Sequence, residues 1–291
     1  MRATRDKNRR NSRRIISKLF ELACLGATLA SLALLVLLLG NVVYHGASRL
    51  NWGFLTNFPS RFPDKAGIKA ALWGSVWLIG LTTLIAVPVG VGAAVYLEEY
   101  GRRNWWRTII ETNISNLAGV PSIVYGILGL GLFVRALGFD RSVMSGALTM
   151  ALVILPIVII SSQEALRAVP SSIRHASFAL GATRWQTVWH QVLPAALPGL
   201  LTGVVLAISR AMGEAAPLIM IGALTYVALV PKSPMDPFTA LPIQVFNWSS
   251  RPQDEFREVA ASGIIVLLVL LLCMNAAAVI LRHRHGKHVR W

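Results

Sequence analysis

Long apolar runs alternate with short polar stretches along the chain. Six runs stand out: 22–43, 70–97, 112–134, 142–163, one from 197 past 220, and 259–281. About 20 helical residues cross the hydrocarbon core of a bilayer. In lipid every backbone N–H and C=O must be satisfied within the segment, so separate runs of this length cross as helices. The pattern predicts an all-α integral membrane protein with six transmembrane helices. Pro88 and Pro156 are expected to kink the second and fourth runs. Gly90 and Gly92, and Gly126, Gly129 and Gly131, are expected to let helices approach closely. The third run is read as one continuous helix with Pro121 near its start.

The first run carries no charge over 22 residues. That exceeds the roughly 7–15 residues of a signal-peptide core, so it is read as a retained helix. The expected organisation is a basic tail over 1–18, a first transmembrane helix over 19–45, a five-helix body over 70–282 and a second basic tail over 283–291. The first tail is expected to be disordered. Residues 45–69 form a loop on the far side, with Trp52, Phe54 and Phe58 near the interface. The far-side stretch 225–258 has room for one short helix.

Composition agrees: 55% of the 291 residues are apolar and 14% charged. The formal net charge of +15 raises nucleic acid as a partner, but the charges sit in short tails and loops between apolar runs. They are read as topology signals and contacts to anionic lipid, with no nucleic acid bound. Eight Lys or Arg in the first 18 residues, three in 98–111, three in 164–190 and four in the last ten fall on one side. Nine in 45–69, 135–141 and 222–258 fall on the other. Positive charge stays inside, which puts both termini in the cytoplasm.

Cys24 and Cys273 lie within apolar runs and are read as small packing residues, without disulfide or metal. His283, His285 and His288 are read as part of a solvated tail. No nucleophile–base arrangement and no phosphate-binding G-x-x-x-x-G-K-[ST] loop is present, so the chain is read as non-catalytic and unable to power itself.

The polar stretch 164–194 separates the fourth and fifth runs. Pro170 ends one helix, and Ser171 and Ser172 are placed to cap a short one through Ala179. Gly181 suits the left-handed residue that follows a helix. Thr183 and Gln186 have capping-box spacing, and Pro194 is expected to stop the second helix. Phe178, Trp185 and Trp189 would be exposed, either in the headgroups or against a partner.

Arg210 and Glu214 stand in the fifth run, four residues and roughly 6 Å apart along a helix. A charge at that depth is costly unless it is paired or faces water, which makes such residues functional candidates. They read either as a structural pair or as a pathway site where the Arg attracts an anion and the Glu tethers the Arg.

Ala176, Gly181, Leu193 and Pro194 fall where the permeases of ABC importers carry E-A-A, three residues, Gly, nine residues, I-x-L-P. His175 replaces the usual Glu and Gln191 the usual Ile. The runs RAMGEAAPLIMIGA (210–223) and LPIQVFNWSSRPQDEF (241–256) resemble the A-type permease subunit of the bacterial phosphate-specific import system. The resemblance covers the chain from about residue 71 onward.

This resemblance implies a type I ABC importer permease fold in the bacterial cytoplasmic (inner) membrane. It implies that His175, Ala176, Gly181, Ala182, Thr183, Leu193 and Pro194 belong to a segment docking on a separate ATPase. It implies as partners a second permease, two ATP-binding subunits and an extracytoplasmic phosphate-binding protein. No cofactor is expected in this chain, ATP being bound by the partner. Arg210 and Glu214 are then expected on the phosphate path. Permeation of another oxyanion (molybdate or sulfate) and a non-transporting scaffold or sensor are the alternatives.

Overall fold

The computed structural model describes residues 2–102, 104–223 and 226–286, the side chains of 2–12, 14, 15 and 281–286 excepted. The helices are α1 (Arg2–Gly46), α2 (Trp52–Thr56), α3 (Lys69–Val95), α4 (Trp105–Ala118), α5 (Ser122–Gly129), α6 (Val143–Arg167), α7 (Ser171–Ala179), α8 (Arg184–Thr187), α9 (Leu193–Gly213), α10 (Ala216–Met220), α11 (Leu241–Ser249) and α12 (Glu255–Gly286). Among the described residues there is no β-strand, and one isolated bridge joins Ser142 to Pro237.

The axis of the bundle is α6. Its first turns bury Ser145, Gly146, Ala147, Thr149 and Ala151, side chains small enough for neighbours to come close. Gly146 lies under the ring of Phe238, and Gly90 of α3 lies against Val158. Two thirds (67%) of the apolar window of α6 is buried, against none (0%) for α1. The first helix is held to α12 near Gly46, where the Ser262 hydroxyl donates to the Gly46 carbonyl at 2.7 Å. Its backbone is already helical from Arg2, so the basic tail continues the helix rather than being irregular.

Among the described residues, five spans are long and apolar enough to cross a membrane. The sixth is broken: α4 and the helix over 122–136 meet at 99°. This corrects the expectation of one continuous helix over 112–134. Gly119 ends α4, and Pro121 has an extended backbone (φ −55°, ψ 133°) and no N–H to continue the helix. The two halves still connect opposite ends of α6. Glu111 of α4 reaches Gln163 near one end, and Gly129 of α5 packs against Thr149 near the other.

Four smaller expectations change. Pro194 does not stop the helix that starts at Arg184. A wide π-type turn over Val188–Val192 carries it into α9, where Pro194 sits in the first turn and its missing N–H costs nothing. Ser171 and Ser172 do not cap α7; Pro170 occupies that position, with no side-chain cap. Cys24 and Cys273 are exposed rather than packed. On the far side, Phe54 is buried and its ring centroid lies 5.8 Å from that of Trp248, while Trp52 is exposed.

As expected, one short helix, α11, forms in the far-side stretch before α12. Among the described residues no cluster of His, Cys, Asp and Glu could hold a metal. The end of the second tail lies outside the described residues, and with it His288; the side chains of His283 and His285 do too.

Candidate functional site

Two places carry the chemistry, one at each end of the long helix 184–213.

The first is the tip formed by α7, the turn after it and α8. Gly181 adopts φ +83°, the left-handed conformation its position requires. The Thr183 hydroxyl accepts from the Gln186 N–H, and the Gln186 side chain accepts from the Thr183 N–H. That capping box is as the spacing predicts. The Ser177 and Thr187 hydroxyls, 2.9 Å apart, pin the two short helices together.

No residue of α7 is buried. His175, Ala176, Gly181 and Thr183 are exposed at the tip, and Ala182 is half-buried. Leu193 and Pro194 stand apart from them at the base, Leu193 packing beside Val192 and Ala196. Phe178, Trp185 and Trp189 are exposed, with the two indoles stacked at 5.5 Å. Leu180, 89% exposed, was not singled out from the sequence. Its place just before the left-handed glycine was the available signal.

The tip is fastened from below by Arg174. Its guanidinium pairs with Glu99 at 2.6 Å and donates to the carbonyls of Leu166 and Val169. Glu98 pairs with Arg107 and Arg167, and Glu111 with the same two arginines. Gln163 donates to Glu98 at 3.2 Å. The sequence reading left out this whole cluster. The adjacent Glu98 and Glu99 at the end of an apolar run were its one visible sign.

The second place lies where two broken helices meet. The helix α9 ends at Gly213, Glu214 is extended (φ −84°, ψ 112°), and α10 starts at Ala216. Facing it is the start of α5. The Ser122 hydroxyl donates to the Glu214 carboxylate at 3.0 Å. Gly126 of α5 lies against Pro217 and Met220, and an added Cβ would come within 2.7 Å of the Pro217 backbone.

The structure brings Arg210 and Glu214 together, with Nε to Oε1 at 3.6 Å. That is an ion pair longer than a good hydrogen bond. The Arg210 side chain is 53% exposed and that of Glu214 22%. Glu214 is therefore held by Ser122 and the helix break, while the Arg210 guanidinium keeps donors available. Ser122 escaped the sequence reading because it lies 92 residues away. Beside the pair, the Ser209 hydroxyl donates to the Asn275 side chain at 2.6 Å, tying α9 to α12.

Residues 86–287 match the family model described as binding-protein-dependent transport system inner membrane component. The chain is 32% identical over 258 residues to the probable ABC transporter permease protein YqgI of Bacillus subtilis (strain 168), covering 84% of this chain and 88% of that protein. It is 31% identical over 229 residues to the phosphate transport system permease protein PstA 1 of Mycobacterium tuberculosis (strain H37Rv), covering 77% and 71%. Against PstA of Haemophilus influenzae the figures are 30% over 212 residues, 73% and 74%.

Among solved structures, the fold is similar to the inward-facing MetNI methionine ABC transporter, with TM-score 0.63 at 16% identity over 75% of this chain and 95% of that one. It is also similar to a bacterial ABC transporter involved in alginate import, with TM-score 0.65 at 15% identity over 94% and 100%. The expected type I importer permease fold and the resemblance to the phosphate permeases are both borne out. The chain is a membrane-embedded ABC importer permease and belongs to the family of binding-protein-dependent transport system inner membrane components.

Proposed function

We propose that this permease carries inorganic phosphate. The observation that carries the reading is Arg210, a guanidinium within an apolar span that is half exposed and only loosely held by its own carboxylate. A fixed cation in a low-dielectric passage attracts an oxyanion, and the planar fork of Arg matches its oxygens. Glu214 keeps Arg210 in place and limits the net positive charge, so the anion can leave. The phosphate permeases among the relatives support the substrate.

In this reading a second permease completes the passage, and an extracytoplasmic binding protein delivers phosphate to its mouth. Two separate ATP-binding subunits dock on the segment from His175 to Thr183, with Leu193 and Pro194 at its base. Closure of those subunits on ATP moves the tip, and the passage opens to alternate sides. This chain holds no cofactor and does no ATP chemistry. Both termini lie in the cytoplasm, and the membrane is the bacterial inner one.

The test is uptake of radiolabelled phosphate by cells lacking this chain, complemented with the native gene or with Arg210→Gln. The native gene restores uptake, molybdate and sulfate do not compete, and the variant is inactive though present in the membrane. Full competition by molybdate or sulfate would move the substrate to that anion. Uptake by Arg210→Gln at the native rate would remove Arg210 from the path.

A further inference from the structure

The tip that moves and the pair that meets the anion are far apart, and the structure offers a charged linkage between them. At the end of α3 the backbone makes a wide π-type turn over Tyr96–Tyr100, closed by the Gly101 N–H on the Tyr96 carbonyl at 2.8 Å. Turns of this kind are uncommon overall but frequent at functional sites. Here the turn presents two adjacent carboxylates, each about 10% exposed, to different elements.

Glu99 takes Arg174 of α7, by Nη2 at 2.6 Å and Nε at 3.1 Å. Arg174 in turn grips the end of α6 through the Leu166 and Val169 carbonyls. Glu98 takes Arg167 of α6 by Nε at 2.9 Å and Arg107 of α4 at 3.1 Å. Glu111 of α4 closes the ring on Arg107 at 2.8 Å. Three carboxylates and three guanidiniums thus balance one another where α3, α4, α6 and α7 meet.

The helix α4 depends on this cluster. None of its residues is fully buried; besides the cluster, Ile114 packs on the core near Leu166, and the Tyr125 hydroxyl donates to the Leu117 carbonyl at 2.8 Å. At its other end come Gly119 and Pro121, then Ser122, whose hydroxyl holds Glu214. Every link from α7 to Arg210 is therefore a polar contact or a stretch of backbone: Arg174, Glu99, Glu98, Arg107, α4, Ser122, Glu214. Directional contacts between few partners favour discrete arrangements over gradual deformation, as a two-state relay requires.

We infer that Glu98 and Glu99 are positioning residues that transmit movement of the tip helix α7 through α4 to the Ser122–Glu214–Arg210 site. The inference rests on the transporter reading above, and it adds the route by which the motor's stroke reaches the anion site.

The experiment uses the whole complex in proteoliposomes, with inorganic phosphate as the probe. ATP hydrolysis and uptake are measured together for native protein, Glu99→Gln, Arg174→Gln and the swapped pair Glu99→Arg with Arg174→Glu. Each single variant is expected to assemble and hydrolyse ATP at half the native rate or better, while phosphate moved per ATP falls at least tenfold. The swapped pair recovers to within about threefold of native.

Phosphate per ATP within twofold of native in both single variants overturns the inference. So does parallel loss of assembly and hydrolysis that the swap fails to repair, since that marks a merely structural contact.

A second readout separates this inference from the choice of substrate. Spin labels at Asn116 of α4 and Leu206 of α9, both exposed, report the distance between the helices with and without ATP. The native complex shows an ATP-dependent change, Glu99→Gln loses it, and the swap restores it. That pattern supports the relay even where no phosphate is imported. An unchanged shift in Glu99→Gln refutes the relay even where phosphate uptake is normal.

Discussion

At the end of the bundle that carries the tip, Glu98 and Glu99 are about 10% exposed; Arg107, Arg167 and Gln163 hold Glu98, and Arg174 holds Glu99 through two nitrogens. At the helix breaks, Arg210 is 53% exposed and meets one carboxylate at 3.6 Å. The same two residue types serve opposite ends. Burial of the two carboxylates makes the first cluster stiff, because removing Arg107 or Arg174 leaves a carboxylate short of a partner away from water. Looseness at the second leaves guanidinium donors for a visitor. A charge that is already satisfied can hold helices together but cannot bind a guest.

The largest expected effect is on transport at the loose site. Arg210→Gln lowers uptake roughly 100-fold, on the scale of two charged hydrogen bonds lost to the anion. Its thermal midpoint in detergent stays within about 2 °C of native, because an exposed pair contributes little to stability. A large drop in midpoint would show that Arg210 is structural and that the two regions do not differ.

Next is Glu98→Ala, which removes the main partner of Arg167 and one of the two carboxylates on Arg107. A stability loss of about 3 kcal/mol is expected from denaturant or thermal unfolding in detergent. A loss below about 1 kcal/mol would mean that water already screens the cluster.

Ser122→Ala is smaller. It removes one hydroxyl from Glu214, costing about 1 kcal/mol and a few-fold in uptake, with ATP hydrolysis maintained. Uptake at the native level would free Glu214 from any dependence on the α5 break.

The smallest effect lies outside both regions and serves as a control. The Asp236 carboxylate accepts the Lys232 and Ser233 N–H groups, which hold it below the usual carboxylate range. A depressed value in the folded state means a contribution that is complete above the unfolded value, about 4, and is lost as pH falls through the folded one. Amide exchange at 232–233, corrected for its intrinsic pH dependence, should be flat from pH 7 to 5 and rise below about pH 4. In Asp236→Asn that rise disappears.

Local chemistry was legible in the sequence. Gly181, the Thr183–Gln186 box and the proline at 170 act through neighbours within a few residues, so spacing reveals them. The proximity of Arg210 and Glu214 was readable for the same reason. Hydropathy could not show the 99° break, because direction leaves no trace in composition. Pro194 misled because a proline reads as a stop, whereas the wide turn before it places the ring where no hydrogen bond is owed. The Glu98–Glu99 cluster joins residues up to 75 apart; the two adjacent carboxylates mark the place in the sequence, but their partners are not readable from spacing.

The helix α9 runs 21 residues from Leu193 to Gly213, about 31 Å at 1.5 Å per residue. It gives the molecule its own ruler. Two probes on that rod should hold one separation throughout the cycle, which calibrates label size and orientation without a second protein. Any distance that changes against it, to α4 or to α5, can then be assigned to the other helix. The native cysteines do not obstruct such work: Cys24 and Cys273 are exposed on helices outside this rod, and their replacement leaves no cavity.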